Sequence, residues 1–138
     1  MRFKKLKYGM YLDTETDLLW HPEQRIFEHD EGLEFAASLD TAGLIWRVPT
    51  RIELLSIVDD ECYNPASKLP DMRDGNYWSS SSYAFSTAFA WFVLFYVGYS
   101  GSSNRTNGFY VRCVAGPVDD SVIKTLMEPP GREKTTIR

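Results

Sequence analysis

Trp46-Arg47-Val48-Pro49-Thr50-Arg51-Ile52-Glu53-Leu54-Leu55 is the stretch on which the fold turns. Its first four residues read as a short extended segment closed by proline. Thr50 to Glu53 fits a capping box, in which the threonine hydroxyl and the glutamate carboxylate satisfy orphan amides at a helix start. The helix is predicted to run to about Val58, with Leu54, Leu55 and Val58 turned inward. A helix this short does not hold by itself in water. It needs a surface to pack on, and the rest of the chain offers only a sheet.

Upstream, Tyr8 to Trp20 reads as two short strands around a polar turn at Asp13-Thr14-Glu15-Thr16. Asp30 is placed to cap a second helix through Leu33, Ala36, Ala37 and Leu39, with Gly43 ending it. Downstream, Asp60 to Asn76 is a loop punctuated by Asn64-Pro65, Leu69-Pro70 and Asp74-Gly75. Strands are predicted from Tyr77-Trp78 into Ser79 to Ser82, over Ala90 to Val97, and over Phe109 to Val114, with a polar loop from Gly98 to Gly108. A domain over residues 1–116 is thus followed by an extension, 117–138, expected to be partly disordered.

The chain has 138 residues, one domain's worth, and a formal charge of −4. No basic face is implied, so nucleic acid is excluded as an expected partner. No apolar run follows the basic start Met1 to Lys7, so no signal peptide is read, and no stretch is long enough to span a membrane. Synthesis in the cytoplasm is expected, with the chain either retained there, assembled into a particle such as a virion, or displayed on a surface by another route. Cys62 and Cys113 sit in no metal-ligand spacing with His21 or His29. The two cysteines read equally as free thiols or as a disulfide.

The segment Ala90 to Val97 is apolar on both alternating faces. Trp91, Val93, Phe95 and Val97 share one, and Phe92, Leu94 and Tyr96 the other. Either the strand is buried on both sides, or an apolar face is kept for a partner. The adjoining Tyr99, Ser100, Ser102, Ser103, Asn104 and Asn107 have the Tyr/Ser/Gly/Asn composition of adaptable recognition surfaces. The window from Ser79 to Phe109 also holds no Lys, Glu, Gln, Asp, His or Met. Apart from Trp91, its residues can all be encoded by codons ending in a pyrimidine.

At this point the chain resembles a known family, the C-terminal domain of the Legionella collagen-like protein, found in many bacterial and phage proteins. The resemblance is carried by Thr16 to Trp20, Trp46 to Leu55, Tyr77 to Ser80, Ala90 to Val93 and Tyr110 to Val114, in that order. It implies an α+β, C-type-lectin-like fold: two short helices packed on small antiparallel sheets, with a loop-rich ligand face. Sulfated polysaccharide is the ligand class of the Legionella protein. Similar domains serve as the variable proteins of diversity-generating retroelements, in which invariant scaffold residues separate randomised ones. Trp78, Ala90, Trp91, Val93, Phe95, Gly98, Tyr110, Val111 and Arg112 match the scaffold, and the departures lie between them. Trp46, Trp78, Trp91, Val93 and Phe95 are expected to be buried.

Sequence points away from catalysis. The sugar-binding calcium triplets of C-type lectins do not occur, and the window holds no carboxylate for a hard cation. Neither cysteine has an electropositive setting like the reactive pair of formylglycine-generating enzymes. No nucleophile elbow surrounds Ser79 to Ser82. His21 and His29 read as surface or loop residues, and Arg47 and Arg112 as scaffold. The expected function is a non-enzymatic ligand-binding module without cofactor or metal, possessing a protein or glycan partner on a cell surface. The expected contact residues are Phe92, Leu94, Tyr96, Tyr99, Ser100, Ser102, Ser103 and Phe109, with Phe85 and Phe89. The alternative is a glycan-binding adhesin domain without diversification.

Overall fold

The computed structural model describes residues 1–127. The segment Glu128-Pro129-Pro130-Gly131 and the charged end beyond it, both part of the expected extension, lie outside the described residues. In chain order the elements are β1 (Phe3–Lys5), β2 (Tyr11–Asp13), β3 (Leu18–Trp20), β4 (Arg25–Phe27), α1 (His29–Ser38), α2 (Arg51–Leu55), β5 (Asn76–Ser82), β6 (Phe89–Leu94), β7 (Tyr99–Asn104), β8 (Phe109–Val111), β9 (Val114–Ala115) and α3 (Asp120–Leu126).

The strands form two sheets, ordered β1-β2-β3-β9 and β4-β8-β5-β6-β7. Every pairing is antiparallel except β5 with β8. The fold is α+β and lectin-like, as expected. Residues far apart in sequence meet at its centre: Leu19 pairs with Ala115, and Arg47 bridges Val114. The larger sheet has apolar packing on both sides. Trp78, Ala90 and Val111 join Trp46, Val48 and Ala36 on one side. Tyr77, Val93 and Phe95 join Leu54, Ile57 and Trp20 on the other. Trp46 and Trp78 are both buried, and each indole N–H finds a carbonyl, of Thr41 and Phe27 respectively, at 3.0 Å.

The capping box at Thr50 is present. Its hydroxyl accepts from the Glu53 amide, and the Glu53 carboxylate accepts from the Thr50 amide at 2.8 Å. The helix stops at Leu55, however. The chain leaves it in a tight turn, so Ile57 is buried beside Leu54, while Leu55 is exposed and Val58 half-buried. In α1 the cap is Glu28, locked reciprocally with Glu31, and Asp30 lies in the first turn, where its charge suits the helix dipole. That helix ends at Ser38, and Gly43 closes a separate turn, Thr41–Gly43.

Three further expectations are corrected. The strand read over Ala90 to Val97 begins at Phe89 and ends at Leu94. Phe95 to Val97 make a tight hairpin turn closed by the Gly98 amide on the Leu94 carbonyl. Gly98 has φ +86°, and a Cβ there would stand 2.8 Å from Val58, so this corner needs glycine. The polar loop after it is largely β7. Ser, Gly and Asn are poor strand formers by themselves, and cross-strand pairing with β6 overrides that preference. The strand read over Phe109 to Val114 is split between the two sheets at Arg112-Cys113. Arg112 is fully buried at this crossing, donating to the His21 carbonyl and pairing with Asp71 at 2.7 Å.

Candidate functional site

The expected contact residues lie on the β6–β7 hairpin and its neighbours, but on both faces of the sheet. Cα partners share a face, so Phe92 with Gly101 and Leu94 with Tyr99 point one way, and Trp91 with Ser102 and Val93 with Ser100 the other. Phe92 and Leu94 do share a strand face, but the residues read as a loop belong to β7 and alternate between both faces like any strand.

On the first face, Phe109 packs at a tilt against Trp78 with ring centroids 4.5 Å apart, Phe92 meets Phe109 edge-on at 5.1 Å, and Tyr99 adjoins Phe92 at 6.3 Å. Burial falls along this row. Trp78 is in the core, Phe109 and Phe92 are half-buried, and Tyr99 is 59% exposed. Ser103 lies on the same face and accepts a bond from the Asn107 amide group. Phe92 and Phe109 thus owe much of their apolar character to packing, and Tyr99 does not.

On the second face, Trp91 is half-buried rather than buried. The guanidinium of Arg51, at the start of α2, lies 3.8 Å over its ring. Tyr83 meets Trp91 edge-on at 5.3 Å and reaches Phe85 and Phe89 beyond it. Phe85, in the turn between β5 and β6, is 87% exposed. Ser100 accepts from Arg51 Nε at 2.9 Å and donates to the Phe92 carbonyl, so its hydroxyl is already engaged. Tyr96 stands apart in the hairpin turn, exposed, edge-on to Tyr63 across the turn. The expected contact residues did not include Arg51, Tyr83, Tyr63 or Val97. The ring composition of the window pointed to Tyr83, but nothing in sequence placed Arg51 over Trp91.

His21 and His29 are buried, not at the surface. His29 Nε2 lies 2.8 Å from the Ser79 carbonyl and therefore carries the proton. Its Nδ1 is left to accept from Arg105 at 3.2 Å. Burial first, and then the Arg105 guanidinium, hold its pKa below the ordinary histidine value. Both thiols are free, Cys62 exposed and Cys113 buried. Among the described residues no group of three His, Cys, Asp or Glu is arranged to hold a metal ion. No described helix is long and apolar enough to cross a membrane.

The residues that converge in space, from the β2–β3 hairpin through the Trp46 stretch to β9, are those that a family comparison recovers. A model described as the Lcl C-terminal domain, of the Legionella collagen-like protein, matches residues 9–115. The chain belongs to this family. No curated protein and no solved structure matches it. Membership points to a ligand-binding, adhesin-like domain. The match to the Lcl C-terminal domain runs from before β2 to the end of β9, so α3 lies beyond it.

Proposed function

We propose that this Lcl C-terminal domain is a non-enzymatic binding module for a protein or glycan on a cell surface. In this reading its contact side chains are changed on a fixed backbone, as in the variable protein of a diversity-generating retroelement. The observation that carries it is the sorting of the window from Ser79 to Phe109. Ala90, Val93, Phe95 and Gly101 are buried and hold the hairpin, while Phe85 before them and Tyr96 and Tyr99 between them are exposed. Exposed aromatic residues of this kind are the usual anchors of interfaces, each costing about 2 kcal/mol or more on truncation. The binding needs no metal and no catalytic group.

The decisive test is genomic. A near-copy of the window should lie downstream, carrying adenine-rich Asn codons at contact positions, beside a reverse transcriptase. A copy differing instead at Val93 and Phe95 would sink the diversification reading, as would a neighbourhood with neither element. The alternative, a sulfated-polysaccharide adhesin without diversification, is supported by Arg51, whose guanidinium stands over Trp91 in a window that itself contains no carboxylate. An array of sulfated and neutral glycans, with and without calcium, separates the two.

A further inference from the structure

β7 is the end strand of the larger sheet and pairs with β6 alone. Antiparallel neighbours alternate between residues that bond to the partner strand and residues that do not. Three bonds fix the phase. The Arg105 amide donates to the Ala88 carbonyl, the Gly98 amide donates to the Leu94 carbonyl, and the Phe95 amide donates to Gly75 on the β5 side. Even-numbered residues of β6 therefore face β7, and Tyr99, Gly101 and Ser103 face back. Ser100 and Ser102 direct their N–H and C=O groups away from the sheet. None of these four groups has a partner among the described residues. The Asn104 carbonyl is taken by the Asn107 amide, which closes the free row at that end.

Natural edge strands are blunted by lysine, proline, a bulge or a covering segment. Tyr99-Ser100-Gly101-Ser102-Ser103-Asn104 has no charge and no proline, and it keeps one-to-one register with β6 over its whole length. We propose that β7 receives an extended segment of a partner protein as an added strand, with an acidic side chain set against Arg51. This rests on the ligand-binding reading above and names the partner's form.

Two observations select that occupant. An extended backbone repeats donors and acceptors at the two-residue spacing that Ser100 and Ser102 present. Arg51 lies on the face that Ser100 and Ser102 share, stacked on Trp91, and it makes no ion pair among the described residues. A second copy pairing through its own β7 would bring no carboxylate to Arg51, because that strand has none.

The probes are an alternating Thr/Glu decapeptide and an alternating Thr/Lys decapeptide, added to the full chain. With the Thr/Glu peptide, amide exchange at Ser100 and Ser102 should slow by roughly tenfold or more, with the Thr/Lys peptide acting more weakly. Arg51→Gln should remove that preference. Ser102→Pro deletes one outward N–H at a position where an edge tolerates proline. It should abolish binding, while Ser102→Ala retains it. Absence of protection at both amides in the wild-type chain overturns the proposal without recourse to any variant. So does equal binding by Ser102→Pro, or a dimer that this variant dissociates. A protein or glycan ligand that still binds Ser102→Pro but is lost in Phe85→Ala or Tyr99→Ala overturns strand addition and leaves the ligand-binding reading standing.

Discussion

Both carboxylate oxygens of Glu53 are held by the guanidinium of Arg47, at 2.7 and 2.8 Å. Arg47 also donates to the Gly116 carbonyl, so one side chain ties the cap of α2 to the end of β9. Burial alone would raise the Glu53 pKa, but Arg47 and the Thr50 amide outweigh it and hold it below the ordinary carboxylate value. Asp13, paired with Arg2 at 2.7 Å, is lowered in the same way. A folded value below the unfolded one gives stability that is complete above the unfolded pKa, about 4. It is lost as pH falls through the folded value. Glu53→Gln should cost about 1–2 kcal/mol at pH 7, since the pair is partly exposed. The double variant Asp13→Asn/Glu53→Gln should melt with a weaker dependence on pH below 4 than the wild type. Unchanged melting in Glu53→Gln would remove the ion pair from the account of α2.

The two buried histidines predict a second pH dependence with a different window. Burial lowers both His21 and His29, which therefore stay neutral in the fold. The unfolded chain takes up protons below about pH 6.5 and the folded chain resists doing so. Stability is then full above that pH and declines as pH falls toward the folded values. His29 is the stronger case, because a second ring proton would confront the Arg105 guanidinium that now donates to Nδ1. Imidazole titration by NMR should place both midpoints below 6.5. The double variant His21→Gln/His29→Gln should flatten the stability slope between pH 6.5 and 5, and an unaltered slope would contradict the assignment.

What was legible in sequence was short-range. Thr50 and Glu53 name their own hydrogen bonds across three residues, and they make them. Arg47 and Arg112 read as scaffold and bond the Gly116 and His21 carbonyls. The burial of His29 was not legible, because its carbonyl partner Ser79 lies fifty residues away. β7 was missed because its residues favour turns, and only β6 makes them a strand. The site was half-legible. Composition marked the hairpin, but which side chains pack and which remain free depends on Trp78 and Phe109 on one face and Arg51 on the other.

The thiols should behave very differently. Burial pushes Cys113 up to about 12, and the residue is only 1% exposed in the fold. Cys62 is exposed, though its bond to Asp59 also raises its pKa and slows its reaction. Titration with a disulfide reagent at pH 7.5 should modify Cys62 slowly in the native chain and Cys113 only in denaturant. Cys62→Ser should abolish the native reaction. Rapid modification of Cys113 in the native state would mean that the strand crossing at Arg112 opens.

The last prediction concerns the segment beyond the family match. Asp119 caps α3 by accepting from the Val122 amide at 3.1 Å. The helix is only Asp120–Leu126, too short to form unless it packs. It does pack. Leu126 is buried, and Val118, Val122 and Ile123 lie against the core that contains Trp46, Trp78 and Leu6. The expected extension from residue 117 therefore begins with a helix that closes the side of the domain away from α2. Leu126→Ala should cost about 2–3 kcal/mol, as for other buried leucines whose site relaxes only partly. A chain ending at residue 116 should lose more, because the whole apolar face of α3 is withdrawn and the core beneath it meets water. Equal melting temperatures for the chains ending at 116 and 127 would show that residues 9–115 fold without this helix and that its packing adds nothing to stability.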